Sequence, residues 1–316
     1  MIQIATALNS QFRFRESLRI EFRSMFPVLY DDCVMLSLVV LLTASLQASD
    51  APAWPEHYVV ANGIRLHYWR THTPGKPVLI MAHGSSDDGR CWTNLAREFA
   101  NDYDIILYDA RGHGKSDPPS AWDPADVQVE DMAGLIRELK LVKPIVMGHS
   151  MGSSAAAWFA AKYPDVPRAV VLEDPGLVPN PNMAAQLADR DKRRASILEG
   201  NNKTTAELVA QCMKNSPKWG QSECELWAPS KTMHHPNTAL GTIGSRPPIK
   251  DILPKITAPT LILKADAQGE LKQKNEEIAA LLPKGKIVHI AGAGHNVRRE
   301  NRSQTIEVLS SFLKGL

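Results

Sequence analysis

Pro144 to Gly152 reads PIVMGHSMG, and its core, Gly148-His149-Ser150-Met151-Gly152, is a G-x-S-x-G. An apolar run, Ile145 to Met147, leads into it, and the alanine-rich stretch Ala155 to Ala161 follows. A buried strand that turns into a helix within a few residues has no room for side chains beside the turn. That accounts for Gly148 and Gly152. The serine is then held at a strained tip with its hydroxyl free, and the turn and helix start aim backbone N–H groups at whatever it attacks.

Upstream, Tyr58–Ala61 and Ile64–Trp69 flank Asn62-Gly63, a strong signal for a two-residue hairpin. Val78–Ala82 and Ile105–Tyr108 are continuous apolar runs suited to strands buried on both faces. A helix is expected between them, from about Cys91 to Ala100. The loop Asp109 to Ser116 (DARGHGKS) is punctuated by glycines but lacks the spacing of a phosphate cradle. It reads as a structural crossover, with His113 a loop residue. Val127–Leu139 carries apolar residues at helical spacing, and Ala169–Leu172 gives another strand, ending at Glu173-Asp174-Pro175. Strands alternating with helices predict a mainly parallel sheet with right-handed crossovers.

That rhythm breaks at Gly176. From Leu177 to about Lys250 the chain is polar and helical, with helices expected over Met183–Leu198, Thr205–Lys214 and Ser222–Met233. An insertion placed after a strand's C-terminal end is well situated for a lid, and Trp219, Trp227, His234 and His235 are its candidates for lining a pocket. The sheet resumes with Thr260–Lys264 and Ile287–Ile290, separated by a helix over Lys272–Leu282. Ala291-Gly292-Ala293-Gly294-His295 follows the last strand, and a helix over Ser303–Leu313 closes the chain.

Composition narrows the classes. The 316 residues are 44% hydrophobic and 22% charged, with a net charge of +2, which suits one large α/β domain with an insertion. No basic stripe argues for nucleic acid, and no Cys or His spacing suggests a metal cage. Cys33, Cys91, Cys212 and Cys224 read as isolated buried thiols, with Cys212–Cys224 able to pair in an oxidising compartment. Residues 1–50 are set apart by the apolar run Val34–Leu46. Residues 34–48 admit a cleaved signal, a membrane-associating helix or an extension from a misassigned start. The chain is expected to be secreted or membrane-associated if this segment is a signal and cytoplasmic otherwise; membrane contact requires that the segment be retained. Oligomeric state is left open.

Over Tyr58 to Leu316 the chain resembles the α/β-hydrolase superfamily. The resemblance rests on His83-Gly84, on the D-x-R-G-x-G-x-S of Asp109 to Ser116, on Gly148 to Gly152, and on Gly292-Ala293-Gly294-His295. It implies an eight-stranded, mostly parallel sheet flanked by helices, with the second strand antiparallel and a helical cap inserted after strand six. The domains are then 57–176 with 251–316 as core and 177–250 as cap. Ser150 becomes the nucleophile and His295 its general base, because a serine hydroxyl is unreactive at neutral pH without one. The backbone N–H groups of Ser85 and Met151 form the oxyanion hole, and His149 packs or lines the pocket. The acid departs from the common pattern: the ninth residue beyond Pro259 is Gln268, with Asp266 and Glu270 on either side. The alternative position, 24 residues past the serine, is Asp174, beside Glu173. Asp174 ranks ahead of Asp266, and both ahead of Glu173 and Glu270.

A serine at the elbow points to acyl transfer through an acyl-enzyme, hence to a small, largely apolar ester or lactone, or an amide or thioester, with no cofactor and no metal. It argues against epoxide and haloalkane chemistry, which needs a carboxylate there. A carbon–carbon bond hydrolase, an acyltransferase and a ligand receptor with little turnover are the alternatives.

Overall fold

The computed structural model describes residues 54–180, 182, 185 and 189–316. The apolar segment 34–48 and the start of the helix expected at Met183 lie outside the described residues. Eight strands form one sheet: β1 (Glu56–Ala61), β2 (Ile64–Arg70), β3 (Val78–Ala82), β4 (Asp104–Tyr108), β5 (Ile145–His149), β6 (Ala169–Glu173), β7 (Thr260–Ala265) and β8 (Gly285–Ile290). Their spatial order is β1-β2-β4-β3-β5-β6-β7-β8. β2 runs antiparallel to both its neighbours, and the pairings from β4 to β8 are all parallel. The β1–β2 hairpin turns at Asn62 (φ 48°) and Gly63 (φ 78°), the positive-φ pair that a two-residue turn requires.

The central strands are apolar throughout because both faces are covered, and alternate residues serve opposite layers. Ile80, Ile106, Val146, Val170 and Ile262 pack against α2 (Val127–Glu138) and α3 (Met151–Lys162) through Met132, Leu135, Ala156 and Phe159. Leu79, Met81, Leu107, Met147 and Leu263 face the other layer, which contains Trp92 and Leu95. Leu95 lies in α1 (Thr93–Arg97), shorter than expected because a 3₁₀ turn, Gly89–Trp92, occupies the start of that segment. Leu309 and Leu313 of the closing helix, Arg302–Lys314, complete that layer.

Between β6 and β7 the described chain is helical. α4 (Arg190–Asn201) buries no residue, α5 (Thr205–Asn215) starts with a Thr204–Glu207 capping box, and α6 (Gly220–Thr232) runs on through Pro229. Contrary to the reading of isolated thiols, Cys212 of α5 and Cys224 of α6 form a disulfide. Both cysteines are buried where the two helices meet, a proximity that their spacing alone does not reveal. Cys91 is a free, buried thiol. Among the described residues no helix is long and apolar enough to cross a membrane.

The loop Asp109–Ser116 is structural, as expected. The buried Asp109 carboxylate accepts the N–H groups of Gly89 and Lys115, both at 2.8 Å, and lies 2.9 Å from His67 Nδ1. Arg111 meets Asp131 at 2.6 Å and Asp123 at 3.3 Å.

Candidate active site

The site is built where β5, β6 and β8 end. A β-carbon on Gly148 would stand 2.3 Å from the Gly152 carbonyl oxygen, and one on Gly152 would stand 2.3 Å from that of Ala82. Backbone crosses backbone at both places, so only glycine fits, and the serine between them is forced outward. Ser150 has φ 50°, a left-handed conformation that costs a non-glycine residue roughly 1–3 kcal/mol. It is pinned by its own N–H to the Glu173 carbonyl at 3.0 Å. Its carbonyl accepts from Ser153 Oγ at 2.7 Å and Ser154 N–H at 3.0 Å.

His295 reaches over the elbow from the loop after β8. Its Nε2 lies 2.9 Å from Ser150 Oγ, and its Nδ1 lies 2.6 Å from Asp174 Oδ2. With Nδ1–H donating to the carboxylate, Nε2 is left free to accept the serine hydroxyl. Asp174 follows β6 at φ 42°, a second strained position in the same cluster. Its other oxygen accepts from the Lys264 ammonium and from the Ala265 N–H at 3.1 Å. Burial alone would raise the Asp174 carboxyl, but the bond from His295, then the Lys264 charge and the Ala265 amide, outweigh it. The net shift is downward, so the group stays ionised.

The other carboxylates lie elsewhere. Asp266 is exposed and accepts the Gly292 N–H at 2.8 Å, bracing the histidine loop from below. Glu173 is fully buried and accepts both the Arg298 N–H and its guanidinium, each at 2.8 Å. Glu270 pairs with Lys274 on the surface at 2.5 Å. Lys264, which positions the second Asp174 oxygen, escaped the sequence reading because a single lysine at a strand end carries no motif.

His149 is buried at 3% exposure, and its Nε2–H donates to the His295 carbonyl at 2.9 Å. Burial pushes it down to about 4, so it is neutral at pH 7. It supports the backbone of the histidine loop. Gly84 lies against this ring and against Ser150: a β-carbon there would be 2.5 Å from His149 Nδ1 and 3.5 Å from Ser150 Cβ. Ser85 is thus next to the elbow, and Met151 opens α3 with its N–H at the helix start. Trp219 and Trp227 are half-buried, with ring centres 6.3 Å apart, and each carries a cation over its face, Arg299 and Lys231 respectively. His234 stacks on His113 at 4.5 Å, whereas His235 is half-buried with its ring accepting the Asn237 N–H at 3.1 Å. Among the described residues, no group of three or more His, Cys, Asp or Glu side chains is placed to hold a metal ion.

Serine, histidine and carboxylate in hydrogen-bond sequence at the ends of a parallel sheet define a class, and comparison with known proteins gives the same class. Residues 79–308 match the model of the alpha/beta hydrolase family. The chain belongs to the alpha/beta hydrolase family, and hydrolase is the activity class its relatives support. It is 25% identical over 253 residues to the 2-(acetamidomethylene)succinate hydrolase of Mesorhizobium japonicum, covering 75% of this chain and 88% of that protein. Over 291 residues it is 23% identical to epoxide hydrolase 1 of Caenorhabditis elegans, covering 82% and 70%. A solved thermophilic esterase from Thermogutta terrifontis superposes with a TM-score of 0.62 at 23% identity, covering 83% of this chain and 98% of that one.

Proposed function

We propose that this protein is a serine hydrolase that cleaves a small ester or lactone, or a related amide or thioester, through an acyl-enzyme on Ser150. The observation that carries the reading is the unbroken series Ser150 Oγ, His295 Nε2 and Nδ1, Asp174 Oδ2, at 2.9 and 2.6 Å. His295 takes the serine proton as Oγ attacks the acyl carbon and returns it to the leaving group; water then repeats the exchange on the acyl-enzyme. Asp174 holds the imidazole tautomer and balances the imidazolium. The N–H groups of Met151 and Ser85 receive the developing oxyanion, each worth about 3 kcal/mol of transition-state stabilisation. The helical segment over 177–250 acts as the cap over this site.

The relatives include a 2-(acetamidomethylene)succinate hydrolase, an esterase and an epoxide hydrolase, so the residue at the elbow favours one substrate class over the others. An oxygen nucleophile on serine favours acyl substrates. The epoxide reading would need a carboxylate where Ser150 stands.

The test is burst kinetics with a chromogenic short-chain ester on the wild type and on Ser150→Ala. A burst of one equivalent of the chromogenic leaving group per protein followed by steady turnover, both lost in a variant whose circular dichroism is unchanged, is the expected outcome. Hydrolysis that persists in Ser150→Ala would reject the mechanism. Tight ligand binding without turnover would favour the receptor reading instead.

A further inference from the structure

Just after β3 the chain makes a tight turn, in which the Asp87 N–H donates to the Gly84 carbonyl at 3.1 Å. Ser86, its third residue, stands at φ 62°. That position takes glycine by default, so a serine there must be held by something outside the turn. The holding groups come from α6. The Ser86 carbonyl accepts from the Lys231 ammonium and from Ser230 Oγ, the latter at 3.1 Å. Lys231 Nζ also lies 3.1 Å from Ser86 Oγ and 3.2 Å from Asp87 Oδ1. The Lys231 and Asp87 side chains are only 10% and 6% exposed, so this ion pair is no surface decoration.

The pair is also wired into the frame of the site. Asp87 lies 3.1 Å from Arg299 and 3.7 Å from Arg298, both in the short helix Val297–Glu300 that follows the His295 loop. Arg298 pairs with Glu173, the residue before Asp174, at 2.8 Å. Arg299 reaches back to Glu223 of α6 at 3.2 Å. Burial opposes the Asp87 charge, but Arg299, Lys231 and Arg298 overcome it and hold the carboxyl far below the usual range.

We infer that Lys231 is a positioning residue: from the helical insertion it locks the Gly84–Asp87 turn and thereby aims the Ser85 N–H at the acyl oxygen. This rests on the serine-hydrolase reading given above. It makes the oxyanion site conditional on α6 being seated on the core, because the group that fixes the turn belongs to the insertion.

The experiment compares wild type with Lys231→Met, Lys231→Arg and Ser230→Ala, reading ester kcat and KM together with amide hydrogen exchange. Lys231→Met should lower kcat by about tenfold to a hundredfold with KM changed less than about threefold, since the interaction lost acts in the transition state. Exchange should quicken in the peptide spanning residues 83–89 and stay unchanged in the sheet. Lys231→Arg should recover most of both signals. Ser230→Ala, which removes only the neutral bond, should show a smaller loss in the same direction and decides the matter should Lys231→Met not fold. Unchanged kcat with unchanged exchange, or a loss of kcat explained by faster exchange across the whole molecule, would overturn the inference. A wild type without Ser150-dependent turnover would defeat the serine-hydrolase reading; exchange alone would then support or reject the lock on the turn.

Discussion

Asp174 and Asp266 close neighbouring strands, and only Asp174 touches His295. Replacing Asp174 with Asn should therefore lower kcat by about 10⁴-fold, because the amide stabilises the wrong tautomer and no longer balances the imidazolium. Asp266→Asn keeps an amide oxygen that can accept the Gly292 N–H and leaves His295 untouched, so it should keep most of the activity. Steady-state kcat on one ester for both variants checks this, and the reverse order would move the acid to β7. Ser150 and His295 were legible in the sequence because glycines mark the places where backbone crosses backbone or turns sharply. The acid was less so, because the β7 spacing falls on Gln268 with Asp266 and Glu270 two residues to either side, while the β6 spacing offers Asp174 beside Glu173. The choice is made by Lys264 and Ala265, which fix the second Asp174 oxygen. Lys231, Arg298 and Arg299 were invisible for a related reason: a sequence shows a cation but not its burial.

Elements with a buried run on both faces read directly from sequence, so β3 to β7 fall where Val78, Ile105, Ile145, Ala169 and Thr260 announce them. Short helices did not. Ile249–Ile252 and Val297–Glu300 have too few residues to show a period, and they exist through packing and loop geometry. α4 shows the opposite limit, a polar helix with no buried residue that Asp189 caps through the Lys192 N–H at 3.0 Å. The α5–α6 pair has its disulfide where a packed interface would otherwise have to suffice. Closing a loop of this size contributes up to about 3 kcal/mol in the chain-entropy account. Cys212→Ser with Cys224→Ser should make residues 205–232 exchange amide hydrogens faster and yield to protease sooner, with the sheet unaffected. Equal protection in both proteins would mean that apolar packing alone holds the pair. Glu223 sits beside Cys224 and is held by Arg299 and Asn94, so the insertion is anchored to the core at the point where its own two helices are joined.

At the scale of the whole molecule, buried neutral histidines give stability a pH dependence of known sign. Burial pushes His149 down to about 4 and His234 to about 3, against an ordinary value of 6.5. The unfolded chain takes up these protons first, so stability is full above pH 6.5 and declines as pH falls through that window. Each histidine contributes at most about 1.4 kcal/mol per pH unit. Asp87 and Asp174 are depressed below 3.8 and lose their contribution only at lower pH, whereas Asp88 and Asp131, raised by burial, offset part of the histidine loss as pH falls below 6.5. Urea midpoints should fall between pH 6.5 and 4, and His234→Gln should flatten the slope; an unchanged slope would mean that His234 protonates freely in the fold. The order of strands along the sheet has a consequence of another kind. Ser150 and His295 stand 145 positions apart, and β8, which delivers the histidine, is the edge strand added last. A chain leaving the ribosome carries Ser150 long before His295 exists. On the mechanism proposed above, it passes through synthesis inert, and activity begins only when β8 closes the sheet.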